Sequence, residues 1–171
     1  MRYRLYKTLF IIGILSGVVF SLNCEDQTGW CFNNTTQQAF YMFETIVIDA
    51  EPGEELDVIG AFSNGLCVGW FYVDPGGFTT LAVMGDDGSD YSEGYLLLGD
   101  VPEELYIYDS SEDAILEFII YYDPYTDENG NGEWDEGEPY DDENGNGEYD
   151  GVLPGFSNNE IYIISGVSYA N

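Results

Sequence analysis

The stretch Asp57-Val58-Ile59-Gly60-Ala61-Phe62-Ser63-Asn64-Gly65-Leu66-Cys67-Val68-Gly69-Trp70-Phe71-Tyr72-Val73 sets two apolar runs on either side of an Asn-Gly pair. Asn and Gly both tolerate positive φ, which a two-residue hairpin needs at its central positions, so the pattern predicts an antiparallel pair with strands near 56–62 and 67–73. Working outward, strand-like runs recur at 38–48, 79–84, 94–98, 105–108, 114–122 and 161–167, separated by Gly, Pro, Asn and Asp. Helical periodicity is hard to find. Short strands punctuated by turn residues predict an all-β fold, and the expected architecture is a β-sandwich of jelly-roll or Ig-like type. The expected core comprises Phe40, Met42, Ile46, Ile48, Val58, Ala61, Cys67, Trp70, Leu81, Leu97, Ile107, Leu116, Phe118, Ile120, Ile161 and Ile163.

Beyond residue 7 the chain has no basic side chain. Arg2, Arg4 and Lys7 are its only cationic residues, His is absent, and all 33 Asp and Glu lie from Glu25 onward. No side-chain salt bridge can form in that part of the chain. A folded domain of this size has a radius of roughly 15 Å, and so much like charge on it opposes compaction unless bound cations, salt or protonation offset it. The composition, 44% hydrophobic and 16% aromatic, nevertheless excludes a disordered acidic tail and suits one domain with a real core.

The three basic residues precede an apolar run at 9–20, the layout of a secretory signal peptide rather than a membrane span. Residues 1–23 are therefore expected to be a signal and 24–171 a single secreted domain, extracellular or at the cell surface; the mature chain is expected to begin between Leu22 and Cys24, and cleavage after Ser21 would place Val19 and Ser21 at the positions where small residues are preferred. A second reading lipidates Cys24, which would give the chain a membrane anchor. Three Cys follow the signal. With Cys24 lipidated, Cys31 and Cys67 pair; otherwise Cys24 pairs with Cys31 and Cys67 is a buried apolar thiol.

The composition changes abruptly at residue 123. Through residue 150 there are twelve acidic residues and four Asn, with no aliphatic side chain. Pro124-Tyr125-Thr126-Asp127-Glu128-Asn129-Gly130-Asn131-Gly132-Glu133-Trp134-Asp135 returns fifteen residues later as Pro139-Tyr140-Asp141-Asp142-Glu143-Asn144-Gly145-Asn146-Gly147-Glu148-Tyr149-Asp150. Ten of these twelve positions are identical, which marks an internal duplication, and Pro154 falls at the same phase where the insert (123–153) ends. The spacing is that of a calcium loop, in which oxygen ligands stand at positions 1, 3, 5, 7 through its carbonyl, 9 and 12, with Gly at 6. From Asp127 those positions carry Asp127, Asn129, Asn131, Glu133, Asp135 and Glu138, with Gly132 at 6 and Trp134 at 8. From Asp142 they carry Asp142, Asn144, Asn146, Glu148 and Asp150, but position 12 is Leu153. Either the second site is weaker, or Asp141, Glu136 or Glu138 supplies the missing carboxylate.

These loops resemble those of EF-hands and dockerins and the acidic repeats of thrombospondin type 3. The resemblance implies Ca2+ bound within the insert, ordering that segment. Pro139 blocks a helix directly after the first loop, so irregular chain wrapped around metal is expected rather than a helix pair. The β portion around 57–62 and 65–69 also resembles sandwich modules of bacterial secreted surface proteins. The clusters at 86–90 and 109–113 read as polar turns, and the sequons at Asn33 and Asn34 matter only where the host glycosylates.

Without His, and with no Lys or Arg after residue 7, the usual activating bases and oxyanion or phosphate clamps are missing, so no enzyme is expected. Nucleic acid is excluded as a partner because nothing in the secreted part neutralises phosphate. Two classes remain. The first is a secreted calcium-binding structural protein that assembles with copies of itself into a surface layer or filament. The second is an extracellular recognition module binding carbohydrate or another surface protein through exposed Trp and Tyr. A chain with one globular unit and no partner domain favours the first.

Overall fold

A computed structural model describes residues 22–48, 51–117, 124–131, 134–142, 147, 149, 151, 153–164 and 167–169. Residues 1–21 of the expected signal (1–23) and the core positions Phe118 and Ile120 lie outside these residues. Twelve strands are seen among them and no helix: β1 (Leu22–Cys24), β2 (Cys31–Asn33), β3 (Gln38–Phe43), β4 (Ile46–Ile48), β5 (Glu51–Pro52), β6 (Val58–Ser63), β7 (Leu66–Tyr72), β8 (Thr79–Met84), β9 (Glu104–Asp109), β10 (Ala114–Glu117), β11 (Ile161–Ile164) and β12 (Val167–Tyr169). The fold is all-β. One sheet has the order β10-β9-β6-β7, a second β11-β3-β8, a third β12-β4-β5, and β1 pairs with β2.

The expected hairpin is β6–β7. Asn64 and Gly65 have φ of 51° and 73°, as the turn requires, and β6 and β7 pair antiparallel with a bulge between Ala61 and Phe62. Two glycines allow close approach here. A Cβ on Gly69 would overlap the Ala82 carbonyl of β8, and one on Gly60 would stand 2.6 Å from the Trp30 ring. These contacts seat β7 against β8 and the N-terminal segment against β6.

The run predicted at 38–48 is interrupted, forming β3 and then β4. The chain returns to it at its far end: β11 pairs parallel with β3 (Ile161↔Phe40 to Ile164↔Phe43) and β12 parallel with β4 (Val167↔Ile46 to Tyr169↔Ile48). The register offset is the same in both, and Glu44 N–H bonds the Ile164 carbonyl (3.0 Å) at the end of the first pairing.

Three expectations need correction. The phase of β3 is opposite to that expected: Ala39, Tyr41 and Phe43 are buried, whereas Phe40 and Met42 are only partly covered. Their partners on β11 follow, so Ile161 and Ile163 are 60% and 65% exposed while Tyr162 and Ile164 turn inward. Both faces of β3 are apolar, so alternation cannot choose between them. Hydroxyl partners can: Tyr41 OH donates to the Pro154 carbonyl (2.9 Å) and Tyr162 OH to that of Gly155 (2.8 Å), with the two rings 5.2 Å apart. A buried Tyr needs such an acceptor. Finally, the run 94–98 is no strand. Its Gly94 has φ of 90°, only Leu96 bridges to Gly85, and Leu97, expected in the core, is 58% exposed.

Ile46, Ile48, Val58, Ala61, Cys67, Leu81 and Ile107 are buried as expected, and Trp70 and Leu116 pack partly covered against the same cluster. Cys24 and Cys31 form a disulfide across the β1–β2 pair, leaving Cys67 as a buried thiol that burial pushes up to about 11. A lipid on the Cys24 sulphur and this disulfide are mutually exclusive.

Candidate metal centre

With no cationic side chain among the described residues, the buried carboxylates Glu25 and Asp57 are met by neutral donors. Glu25 accepts bonds from the N–H groups of Gln27 and Thr28, the Thr28 hydroxyl and the Tyr72 hydroxyl. Burial alone would push its carboxyl up, but those donors together hold it below its ordinary value. Asp57 is met by the N–H groups of Glu54 and Ser110 and the Ser110 hydroxyl. The cluster at 86–90 is a turn, as expected: Gly88 N–H bonds Asp86, Ser89 N–H bonds Asp87, and Thr36 N–H reaches across to Asp87. The Ser89 hydroxyl and these amides hold the Asp87 carboxyl far below its usual range.

The insert holds its acids differently. Gly130, with φ of 75°, lets the first loop curl so that its N–H meets Asp127 Oδ1, while Asn131 N–H meets Asn129 Oδ1 (2.9 Å). The side-chain amides of Asn129 and Asn131 both donate to Asp135 Oδ2. Glu138 is buried, 8% exposed, and reaches back along its own loop: Oε1 accepts from Glu128 N–H and Oε2 from Asp135 N–H, both at 3.0 Å. Trp134 Nε1–H in turn bonds the Glu138 carbonyl (3.0 Å). Positions 3, 5, 9 and 12 are thus linked by hydrogen bonds, while position 1 closes the turn through Gly130 N–H. Glu133, at position 7, lies outside the described residues.

Of the second loop, Asp142, Gly147, Tyr149, Gly151 and Leu153 are described, and Gly147, with φ of 81°, bonds Asp142 Oδ2 through its N–H (2.8 Å). Asn144, Asn146, Glu148 and Asp150 lie outside the described residues. Both Glu138 carboxylate oxygens face the first loop, so among the three acids considered for the missing position, Glu138 is committed elsewhere. Among the described residues, no three acidic or thiol side chains are grouped closely enough to hold a metal unaided. The donors nonetheless suit a hard cation, because carboxylates and amide oxygens are what calcium takes and each Asn amide carries an oxygen as well as its nitrogen.

Sequence reading missed how the repeats meet. Tyr125 and Tyr140 form an antiparallel bridge, flanked by Thr126 N–H to the Pro139 carbonyl and Asp141 N–H to the Pro124 carbonyl, each 2.8 Å. Trp134 stacks on Tyr149 with centroids 4.3 Å apart and planes at 15°, and Tyr140 and Tyr125 close edge-on around that pair. The signal was the repeat itself, which puts an aromatic at equivalent positions of both copies. Comparison of the chain with protein-family models, with curated proteins and with solved structures finds no match.

Proposed function

We propose that this chain is a secreted calcium-binding structural protein, a self-assembling extracellular subunit whose acidic insert takes Ca2+ at Asp127, Asn129, Asn131, Glu133, Asp135 and Glu138 and at Asp142, Asn144, Asn146, Glu148 and Asp150. The duplicated loop spacing carries this reading. The hydrogen bonds that link Asn129, Asn131, Asp135 and Glu138 support it, since they gather spaced donors of the first loop beside the turn that Asp127 closes. Bound calcium supplies the positive charge that the chain itself lacks where its acids are densest. The finer architecture belongs here too: two sheets of three and four strands share one apolar cluster, which supports a β-sandwich scaffold.

Self-association is supported by the sheet surfaces. Lys is a common guard of exposed edges, and no Lys follows residue 7. The exposed Ile161 and Ile163 lie on β11, an edge strand among the described residues, beside the partly covered Phe40 and Met42. Calorimetry with calcium, run beside light scattering on the purified chain, tests both halves. The expected outcome is two ions bound, lost in the Asp127→Ala, Asp142→Ala variant, with assembly favoured by calcium over sodium of equal ionic strength. Unchanged stoichiometry in that variant would overturn the site. A monomer at every calcium level would favour the recognition module instead.

A further inference from the structure

Register brings six side chains together on one face of the β11-β3-β8 sheet. Ile161 pairs with Phe40 and Phe40 with Ala82, while Ile163 pairs with Met42 and Met42 with Thr80. Paired residues of neighbouring strands project to the same side of a sheet. The residues between them, Tyr162, Tyr41 and Leu81, are in register with one another and pack into the apolar cluster. The opposite face therefore presents Phe40, Met42, Thr80, Ala82, Ile161 and Ile163, and none of them is charged. Ile161 and Ile163 are mostly exposed and the other four partly so. A sheet wetted on one side alternates apolar with polar residues, whereas a sheet covered on both sides is apolar on both. This sheet has the second pattern, yet one of its faces lies at the surface of the single subunit.

Charge selects what can cover that face. The chain carries 33 acidic residues and no cationic one beyond residue 7. A cationic partner would be drawn to the acids and would gain nothing on a face without any. A second copy has the opposite requirement, because it must bury apolar surface while keeping its own acids away from those of the first. The three-strand face meets both conditions. The acids that adjoin its strands, Glu44 just after β3 and Glu160 just before β11, are exposed at opposite ends of it. Sheets packed face to face stand about 10 Å apart, more than the Debye length of about 8 Å at physiological salt, so repulsion across that rim is screened.

We propose that two copies of the chain meet at this face, outer surface against outer surface about a two-fold axis, with Ile161 and Ile163 of each copy in an isologous contact. This rests on the self-assembly reading above and names the surface that performs it. A two-fold contact closes at a dimer, so the pair is the unit from which any larger assembly is built. Because the face holds no acid, the pair needs no cation to form.

Sedimentation equilibrium on the purified chain, in chelator and then in calcium chloride, tests this with three variants. Ile161→Asp and Ile163→Asp each place a charge in the contact at a position that the single subunit leaves in water, so both should fold like the parent, as followed by circular dichroism. Ile115→Asp puts the same charge at an exposed apolar position of β10, in the other sheet, and is the control. In chelator at physiological salt the parent should be a concentration-dependent dimer. Its dissociation constant should rise at least about tenfold in Ile161→Asp and Ile163→Asp, since an unpaired charge is then buried, and stay within about twofold in Ile115→Asp. Added sodium chloride should tighten the parent's pairing by screening the rim acids. Pairing as tight as the parent's in both Ile161→Asp and Ile163→Asp, or an equal weakening in Ile115→Asp, would overturn this face and leave self-assembly standing. A parent that is monomeric in chelator and associates only with calcium would do the same, because the contact would then lie at the acids. A parent that stays monomeric in both solutions would overturn the self-assembly reading and this face with it. Should one of the two interface variants fail to fold, the other decides.

Discussion

Glu25 in the sheet scaffold and Glu138 in the insert are both buried carboxylates in a chain without a cationic side chain beyond residue 7, yet their surroundings differ. Glu25 is surrounded by donors: two backbone amides, a Thr hydroxyl and a Tyr hydroxyl, on a segment pinned by a disulfide and a strand pair. Glu138 receives two amides from its own loop, which also carries Asp127 and Asp135 and the oxygens of two Asn side chains. Where donors match the charge, the carboxylate is a structural cap. Where acidic and amide oxygens share one irregular loop, the proposed calcium would complete the arrangement. The two regions also differ in what holds them: an apolar core in one, an aromatic stack and a two-residue bridge in the other.

The sharpest way to break this comparison is to damage the scaffold alone. Ile59 is fully buried in β6, and Ile59→Ala should cost about 3 kcal/mol in chemical denaturation. The loss should be the same with calcium or with chelator, because distant independent sites add. A loss that changes by more than about 1 kcal/mol on chelation would make scaffold and insert one cooperative unit.

A smaller effect separates the two kinds of carboxylate. The donors around Glu25 lower its folded pKa below that of the unfolded chain, so the stability it contributes is present above the ordinary Glu range and is lost as pH falls through the folded value. Glu25→Gln should cost about 1–2 kcal/mol at neutral pH. The gap between variant and parent should narrow on acidification, while the relief of overall repulsion acts on both alike. A gap that widens toward low pH would show that Glu25 is not held ionised by its donors.

The smallest expected change tests the strand phase. Ile163→Thr should alter the melting midpoint by no more than about 0.5 kcal/mol of stability, since the side chain is 65% exposed in the single subunit. A loss above about 1.5 kcal/mol in the monomer would return Ile163 to the core.

What the sequence by itself determined is local or periodic. The Asn64-Gly65 turn, the all-β pattern, the polar turns at 86–90 and 109–113 and the fifteen-residue duplication all follow from neighbours along the chain, where φ preference and spacing act directly. Tertiary structure decided what depends on partners far away. Tyr41 is buried rather than Phe40 because its hydroxyl finds the carbonyl of Pro154, 113 residues on, and the parallel register then carries Tyr162 inward and leaves Ile161 and Ile163 outside. Cys24 meets Cys31 because β1 pairs with β2, two strands too short to stand out in the sequence. The repeats show in the sequence that there are two loops. Only folding sets Tyr125 against Tyr140 and Trp134 against Tyr149, because a two-fold contact is a property of two copies meeting in space and not of either one alone.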